Sequence, residues 1–355
     1  MQKTEKSVFE RIPVPLISWF QENKRALPWR KNPTAYRVWV SEIMLQQTRV
    51  EAVKEYYVRF MNELPTVQAL AACEEEKLLK LWEGLGYYSR VRNMQKAAQK
   101  IMAYYSGELP TSFLELCSLP GIGRYTAGAI ASIAYGQPIA AVDGNVFRVA
   151  SRLEENATPI SVPYYRKYLE EQLSAVYPKA GKGCSDFTQS LFELGALICK
   201  PLSPECALCP IKQFCKAYQH GTQKSYPVLP QKKEKRIERV YVFLIQTPQG
   251  FCIRRRENGV LRGMNEFPSY IITDEETPKQ VLYEWGISEF TIKKTQAYRH
   301  IFTHIRWEIT CVWALADDAP FDAYTLAEIE REISLPTAFK QCLDILREKG
   351  DGKEI

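Results

Sequence analysis

Two domains of different class are predicted, an all-α domain over residues 1–225 and an α/β domain over 239–355. Three observations predict them. From residue 35 to 153 apolar side chains recur at helical spacing, and no segment alternates as a strand does. Four cysteines then crowd into residues 199–215. Past a polar, Pro- and Lys-containing stretch at 226–238, period-two patterns and β-forming runs take over.

At 355 residues the chain is long enough for two cores. It is 46% hydrophobic and 25% charged, as a soluble globular protein is, and its net charge of +6 permits a polyanionic partner without requiring one. No apolar run approaches the ~18 residues of a membrane span. The opening MQKTEKSVFERIPVP lacks the apolar core of a signal peptide. Export is therefore not expected, and a cytoplasmic setting is. Cysteines in a reducing compartment are more often metal ligands or buried packing than disulfides.

Residues 1–30 read as an amphipathic segment ending in Leu27-Pro28-Trp29-Arg30. Trp29 is expected in the core, and Arg30, between Pro28 and Pro33, in a fixed loop. Residues 35–46 read as a mostly buried helix with Glu42 among Val38, Trp39, Val40, Ile43, Met44 and Leu45. That carboxyl either turns to solvent or is buried, and burial would disfavour its charged form and make it a usable acid near neutral pH. Thr48-Arg49-Val50-Glu51 has the pattern of a capping box, with Val50, Val53, Tyr57 and Phe60 as the stripe of the next helix. Gln47 thus falls at a tight helix junction, where a side chain can project.

Glu74 to Glu83 carries Leu78, Leu81 and Trp82 and stops at Gly84-Leu85-Gly86-Tyr87-Tyr88. Ser89 to Tyr105 sets Val91, Met94, Ala98, Ile101 and Tyr105 on one face and Arg90, Arg92, Lys96 and Lys100 largely elsewhere; a basic helix face is usually a solvated one. Ser112 and Glu115 suggest another cap, just ahead of LPGIGRYTAGAIASIAYGQPIAAVDGNVFRV at Leu119–Val149. There Pro120 fixes one φ, while Gly121 and Gly123 admit positive φ and close backbone approach. Such a turn aims N–H groups and a helix dipole at an anion, for which a phosphate is the expected guest. A plain helix hairpin, with Asp143 merely capping the following helix, is the other reading.

Cys199, Cys206, Cys209 and Cys215 give C-x6-C-x2-C-x5-C, a strong metal signal in a non-exported chain. Zinc and an iron–sulfur cluster both suit four thiolates, and the spacing alone does not choose. The other six cysteines are scattered and read as packing. In the α/β domain Val240–Ile245 is an apolar run, and Ile305, Trp307, Ile309, Cys311 and Trp313 alternate with Arg306, Glu308, Thr310 and Val312, a half-buried strand but for Val312. Helices are expected near 278–286 and 339–348.

SEIMLQQTRV around Glu42, GLGYYSR around Tyr87, LPGIGRYTAGAI with VDGNVFRV, and the four-cysteine loop together resemble the helix-hairpin-helix DNA glycosylases, and most closely the MutY-type adenine DNA glycosylases. The resemblance covers nearly the whole chain. It implies an all-α helix-hairpin-helix glycosylase domain, with the hairpin at about 112–135 and the iron–sulfur loop at 199–215, followed by a linker and a Nudix-like 8-oxoguanine recognition domain. It implies one 4Fe–4S cluster per chain on Cys199, Cys206, Cys209 and Cys215, structural and DNA-engaging. The partner is double-stranded DNA with adenine opposite 8-oxoguanine or guanine, met by a monomer on bacterial chromosomal DNA, with no membrane involved.

The implied reaction is hydrolysis of the adenine N-glycosidic bond, with the nucleotide out of the stack. Adenine leaves poorly as an anion, so Glu42 is the expected general acid. Asp143, held charged by N–H groups at a helix start, is expected beside the developing sugar cation. The resemblance assigns Tyr125 and Asn145 to orienting the two acids, and Arg30 and Gln189 to the adenine edge. It assigns Gln47, Leu85 and Tyr87 to filling or wedging the duplex near the lesion, and Gly121 and Gly123 to a backbone phosphate. Where the family shows Phe-Ser-His this chain has Phe302-Thr303-His304, which keeps the hydroxyl and adds a methyl. Glycosylase/lyases of the endonuclease III type carry a nucleophilic Lys where Tyr125 stands, and a Schiff base needs an amine; lyase chemistry is therefore not expected. The segment DEETPKQVLYEWGI lacks the acidic Nudix helix pattern, so neither is pyrophosphate hydrolysis. The alternatives are a pyrimidine-lesion glycosylase/lyase and a non-catalytic DNA-binding protein.

Overall fold

The computed structural model describes residues 7–230, 234–273 and 275–347. Outside them lie Gln231, Lys232 and Lys233 of the expected linker, Asp274 of the DEETPKQ segment, and the last residue, Glu348, of the expected final helix. The chain forms two compact units, 1–73 with 89–231, and 74–88 with 232–355. Among the described residues no helix is long and apolar enough to cross a membrane.

The first unit is helical. Its chain runs through α1 (Pro13–Asn23), α2 (Ala35–Leu45), α3 (Val50–Glu63) and α4 (Val67–Ala72). After α5 (Glu75–Trp82), which belongs to the second unit, come α6 (Ser89–Tyr104), α7 (Phe113–Cys117), α8 (Arg124–Ala129), α9 (Gly144–Glu154), α10 (Pro163–Ala175), α11 (Lys182–Leu197) and α12 (Lys216–His220). Thr34 starts α2 by accepting from the Arg37 N–H, and the helix then buries nearly every side chain from Tyr36 to Met44. The expected capping box at Thr48 does not form. Arg49 is the N-cap of α3 without a side-chain bond, because the Thr48 hydroxyl turns back to the Gln46 carbonyl at 3.4 Å. Gln47 makes the sharp turn itself, with φ +58°.

Ser112 caps α7 by accepting from the Glu115 N–H. The turn to α8 closes with Ile122 N–H on the Leu119 carbonyl at 3.1 Å. Helix α8 runs into a π turn over Ile130–Ala134, where the Ser132 hydroxyl bonds back to the Gly128 carbonyl at 2.7 Å. A Cβ on Gly128 would lie 2.6 Å from the Ala140 carbonyl oxygen. Glycine there lets the hairpin lie against the extended run that delivers Asp143. The core of this unit gathers Phe147, Val149 and Leu153 of α9 with Phe187, Leu191 and Leu194 of α11 and Leu16 of α1.

In the second unit β1 (Arg236–Thr247) is central. Strands β2 (Gly250–Arg255), β3 (Asn265–Glu266) and β4 (Ser269–Ile271) follow, then α13 (Pro278–Glu284), β5 (Phe290–Ile301), β6 (Ile305–Ala316), β7 (Asp322–Tyr324), α14 (Leu326–Arg331) and α15 (Lys340–Arg347). The sheet order is β3-β2-β1-β6-β5, with β4 on β1 and β7 on β2; β1 and β6 are parallel and the other pairs antiparallel. The first strand begins at Arg236, so the expected linker of 226–238 overlaps it. The sheet is covered on both faces. Val240, Val242 and Leu244 meet Trp307, Ile309 and Phe339 on one side; Phe243 and Ile245 meet Val281, Leu282 and Val312 on the other. That explains the unbroken apolar run of β1, and in β6 Trp307, Ile309, Cys311 and Trp313 are buried while Arg306, Glu308 and Thr310 are not, with the excepted Val312 packed on the second core.

Residues 74–88, expected in the helical domain, group with this unit. The Ser334 hydroxyl donates to the Leu79 carbonyl at 3.1 Å, Lys80 Nζ to the Ile333 carbonyl at 2.9 Å, and Asn265 Nδ2 to the Glu76 carboxylate at 3.0 Å. The buried face of α5 is Leu78, Leu79 and Trp82, with Leu81 to its side.

Candidate active site

A cleft of about 1010 Å³ opens in the first unit between α2, the Gln46–Thr48 turn, α8, the start of α9 and α11. Glu42, Tyr125, Asp143, Asn145, Arg30, Gln47 and Gln189 all line it. One helix face, Gln189, Phe192, Glu193 and Ala196, supplies the α11 wall at i, i+3, i+4 and i+7 spacing.

Glu42 is only 5% exposed. Burial pushes its carboxyl up to about 7, against the lowering effect of the Tyr125 hydroxyl, which donates to Oε2; the charge of Asp143 raises it further and that of Arg30 lowers it. The alternative of a solvent-facing Glu42 is thus excluded. The Tyr125 phenol is itself pushed well above its ordinary range by burial and by the two neighbouring carboxyls, so it stays a neutral donor. Its ring lies 5.8 Å from that of Phe192, which fixes the hydroxyl's direction.

Asp143 is the N-cap of α9, accepting from the Val146 N–H at 2.7 Å and from Asn145 Nδ2 at 2.7 Å. Asn145 is oriented in turn by Arg148, whose Nη2 donates to Asn145 Oδ1 at 2.9 Å and to the Gly195 carbonyl at 2.8 Å. The sequence predicts a carboxylate that N–H groups at the helix start hold charged. In the structure those donors are in place, and burial outweighs the Val146 and Asn145 bonds and the Arg148 charge, so the Asp143 carboxyl is raised from its ordinary value. A buried carboxyl with a phenol donor and a half-buried one with a capping network thus face one cleft.

Arg30 reaches the cleft from the turn Pro28–Arg30, with Nη2 on Glu193 at 2.9 Å. Gln189 is tied by Nε2 to Ser185 Oγ at 3.0 Å. Gln47 is exposed at the rim. In the hairpin, Gly121 and Gly123 are both exposed, but only Gly121 has positive φ, +75°. Gly123 has φ −84°, and a Cβ there would meet nothing within 4 Å, so its chain neighbours do not demand glycine.

In the second unit Tyr87 is 48% exposed with φ +48° between Gly86 and Tyr88, and its hydroxyl lies 2.7 Å from Thr303 Oγ1. Leu85 departs from expectation. It is 6% exposed, since the positive φ of Gly84 and Gly86 tucks it inward as Tyr87 turns out, and it does not project as a wedge. Phe302, Thr303 and His304 form the tight β5–β6 connection. Phe302 packs edge-on against His300 at 4.6 Å and Trp307 at 4.9 Å, leaving Thr303 and His304 exposed.

The four cysteines of the 199–215 loop feel one another electrostatically. Burial first, and then the neighbouring thiols, push Cys206, Cys209 and Cys215 upward, Cys209 to about 12. Thiols so packed are stable as thiolates only around a shared cation. Arg152 supports such a charge, with Nη1 on Cys199 Sγ at 3.2 Å and further bonds to the Lys200 and Pro201 carbonyls at 2.8 Å each. Among the described residues no three His, Cys, Asp or Glu groups are arranged as a finished metal site. The donor set fits a four-thiolate group, and its chemistry leaves zinc and iron–sulfur equally served.

Sequence reasoning missed Glu193, Phe192 and Arg148. The first two share the α11 face of Gln189, a helical spacing that was available to find them.

A family model described as HhH-GPD superfamily base excision DNA repair protein matches residues 40–174, and a NUDIX domain model matches 241–344. Adenine DNA glycosylase of Schizosaccharomyces pombe (strain 972 / ATCC 24843) is 34% identical over 86% of this chain and 82% of its own length. Among solved structures, a thermostable thymine-DNA glycosylase is 26% identical with a TM-score of 0.55, over 60% of this chain and 97% of that one. A non-covalent endonuclease III–DNA complex is 25% identical with a TM-score of 0.51, over 62% and 100%.

Proposed function

This chain belongs to the adenine DNA glycosylases of base excision repair, and from that premise we propose that it removes adenine paired with 8-oxoguanine or guanine, using Glu42 as general acid and Asp143 to stabilise the oxocarbenium ion. The observation that carries this is Glu42: a carboxyl buried in the cleft, raised to about 7 and held by the Tyr125 hydroxyl. A group half-protonated near neutral pH gives its proton to the departing base and then accepts one from the attacking water. Asp143 faces the sugar as a carboxylate; the Val146 N–H, Asn145 and Arg148 oppose its neutralisation, and the developing cation favours the charged form further. Tyr125 and Asn145 orient the two acids. Arg30 and Gln189 meet the adenine edge, and Gly121 and Gly123 grip a backbone phosphate.

Opposite the adenine, Gln47, Tyr87 and the Phe302-Thr303-His304 connection engage the partner base. Thr303 keeps a hydroxyl there, and its methyl shifts the preference between 8-oxoguanine and guanine. Leu85 joins them only by leaving its buried position. With a phenol at position 125, excision is monofunctional. Cys199, Cys206, Cys209 and Cys215 hold one 4Fe–4S cluster, which supplies structure rather than chemistry. The protein works as a monomer on the chromosomal DNA of a bacterial cytoplasm.

The test incubates the protein with duplexes holding adenine opposite 8-oxoguanine, guanine or thymine, then cleaves abasic sites with alkali. Adenine-strand product from the first two is expected, and its absence there would refute the reading. Borohydride added during turnover traps no covalent adduct; an adduct through Lys224, the amine that lines the cleft, would overturn the monofunctional assignment.

A further inference from the structure

We propose that Glu193 is a positioning residue for adenine excision, clamping Arg25 and Arg30 to the wall of the cleft and compensating their charge beside the catalytic acid. The inference rests on Glu42 being that acid.

Arg25 and Arg30 lie in the crossing from α1 to α2, where the one short helical turn is the 3-10 turn Pro28–Arg30. Glu193 provides the hold from the middle of α11. Its carboxylate is almost wholly buried and accepts four N–H bonds. Oε1 takes the Arg25 main-chain N–H at 3.0 Å and Nε at 2.8 Å; Oε2 takes Arg25 Nη2 at 2.9 Å and Arg30 Nη2 at 2.9 Å. Arg30 is fixed a second time by Nη1 on the Arg25 carbonyl at 3.1 Å, and a third time by lying over the Phe20 ring at 5.3 Å. A guanidinium held at so many points has one orientation, as a base-reading group requires.

The same cluster sets the charge of the cleft. Two guanidiniums share one carboxylate, leaving one net positive charge, and Glu51 adds a further negative influence on Arg25. The groups acting on Glu42 are Tyr125 from α8, Asp143 from the start of α9 and Arg30 from the crossing. Of these, Arg30 alone lowers Glu42 by its charge, and Glu193 offsets that charge. Neutralising Glu193 leaves the guanidinium uncompensated and favours ionised Glu42, so protonated acid runs out at lower pH.

The experiment measures single-turnover adenine excision against pH for the wild type, Glu193→Gln, Glu193→Asp, Arg25→Gln and Glu42→Gln, with duplex affinity read separately on a non-hydrolysable adenosine analogue. For Glu193→Gln the basic limb moves down by about one pH unit, so the loss is roughly tenfold at about pH 8 against about twofold at about pH 6, while duplex affinity holds within about twofold. Glu193→Asp returns the limb most of the way. Arg25→Gln, which removes a cation instead, moves it upward and serves if Glu193→Gln does not fold. An equal loss at every pH, a loss lying in duplex affinity, or a downward limb for Arg25→Gln would overturn the proposal. Full excision by Glu42→Gln defeats the reading of Glu42 as the acid and this inference with it. An inactive Glu42→Gln beside an unmoved Glu193→Gln limb defeats the inference alone.

Discussion

On the proposed mechanism, a buried carboxyl raised to about 7 sets both the chemistry and the pH response of this protein. Glu42→Gln removes the proton donor in a near-isosteric swap, so single-turnover excision falls by about 10²–10⁴ while duplex affinity is kept. Wild-type excision declines as pH rises through neutrality, because protonated Glu42 is the active form, and in Glu42→Gln the residual rate loses that limb. The sign for stability follows. The Glu42 pKa is raised from 4.5 on folding, so its contribution is fully present below 4.5 and is lost as pH rises through about 7. Glu193 runs the other way. Its Arg25 and Arg30 bonds overcome burial and hold it at about 2, so its contribution is present above 4.5 and is lost as pH falls toward 2. Urea melts across pH measure both, and Glu42→Gln flattens the neutral-side slope. Glu42 was legible in the sequence because its neighbours are apolar on both sides. The place of Glu193 on the α11 face was legible from its spacing to Gln189, but its ion pair was not, since its partner Arg30 lies 163 residues away and no local pattern encodes an ion pair across that separation.

At the scale of one element, the hairpin separates two reasons for glycine. Gly121 needs its φ of +75°, and a Cβ there would fall 2.8 Å from Asn93 Cβ. Gly121→Ala therefore costs folding stability, on the order of 1–2 kcal/mol. Gly123 has neither constraint within the chain. Gly123→Ala melts as the wild type does but binds duplex DNA more weakly, by roughly 1 kcal/mol or about fivefold, if a phosphate occupies the space above it. Calorimetry against fluorescence anisotropy tells the two apart, and an unchanged Gly123→Ala affinity removes this glycine from the interface. Sequence showed the turn and its glycines. It did not show which of them had positive φ, because glycine permits both signs and the packing of Asn93 against Gly121 lies outside the local pattern.

At the scale of the whole molecule, the cysteine loop is tied by hydrogen bonds to α9, the helix that carries Asn145 and Arg148. Arg148 donates to the Cys199 carbonyl at 2.7 Å and also orients Asn145, so loop and active site share one residue. Protein purified without oxygen is expected to be brown, with iron-dependent visible absorption. Cys199→Ser loses the colour and unfolds at lower temperature than the wild type. A colourless, zinc-loaded wild type refutes the iron–sulfur assignment. The second unit depends equally on distant pairing. Residues 74–83 are helical in pattern and fall within the domain expected to be helical, yet hydrogen bonds of this segment run to residues such as Ile333 and Ser334, which sequence distance hides.

By itself the sequence determined what is encoded locally: the helical and strand periods, the Gly-rich turn, the density of four thiols, and the motifs that mark an adenine DNA glycosylase. Tertiary structure decided what depends on enclosure. It chose burial over solvent for Glu42, raised Asp143 against its own capping bonds, turned Leu85 inward, and covered both faces of β6. The physical reason is common to all four: desolvation and packing are set by whatever folds against a residue from elsewhere in the chain, whereas periodicity and turn chemistry are set by its neighbours in sequence.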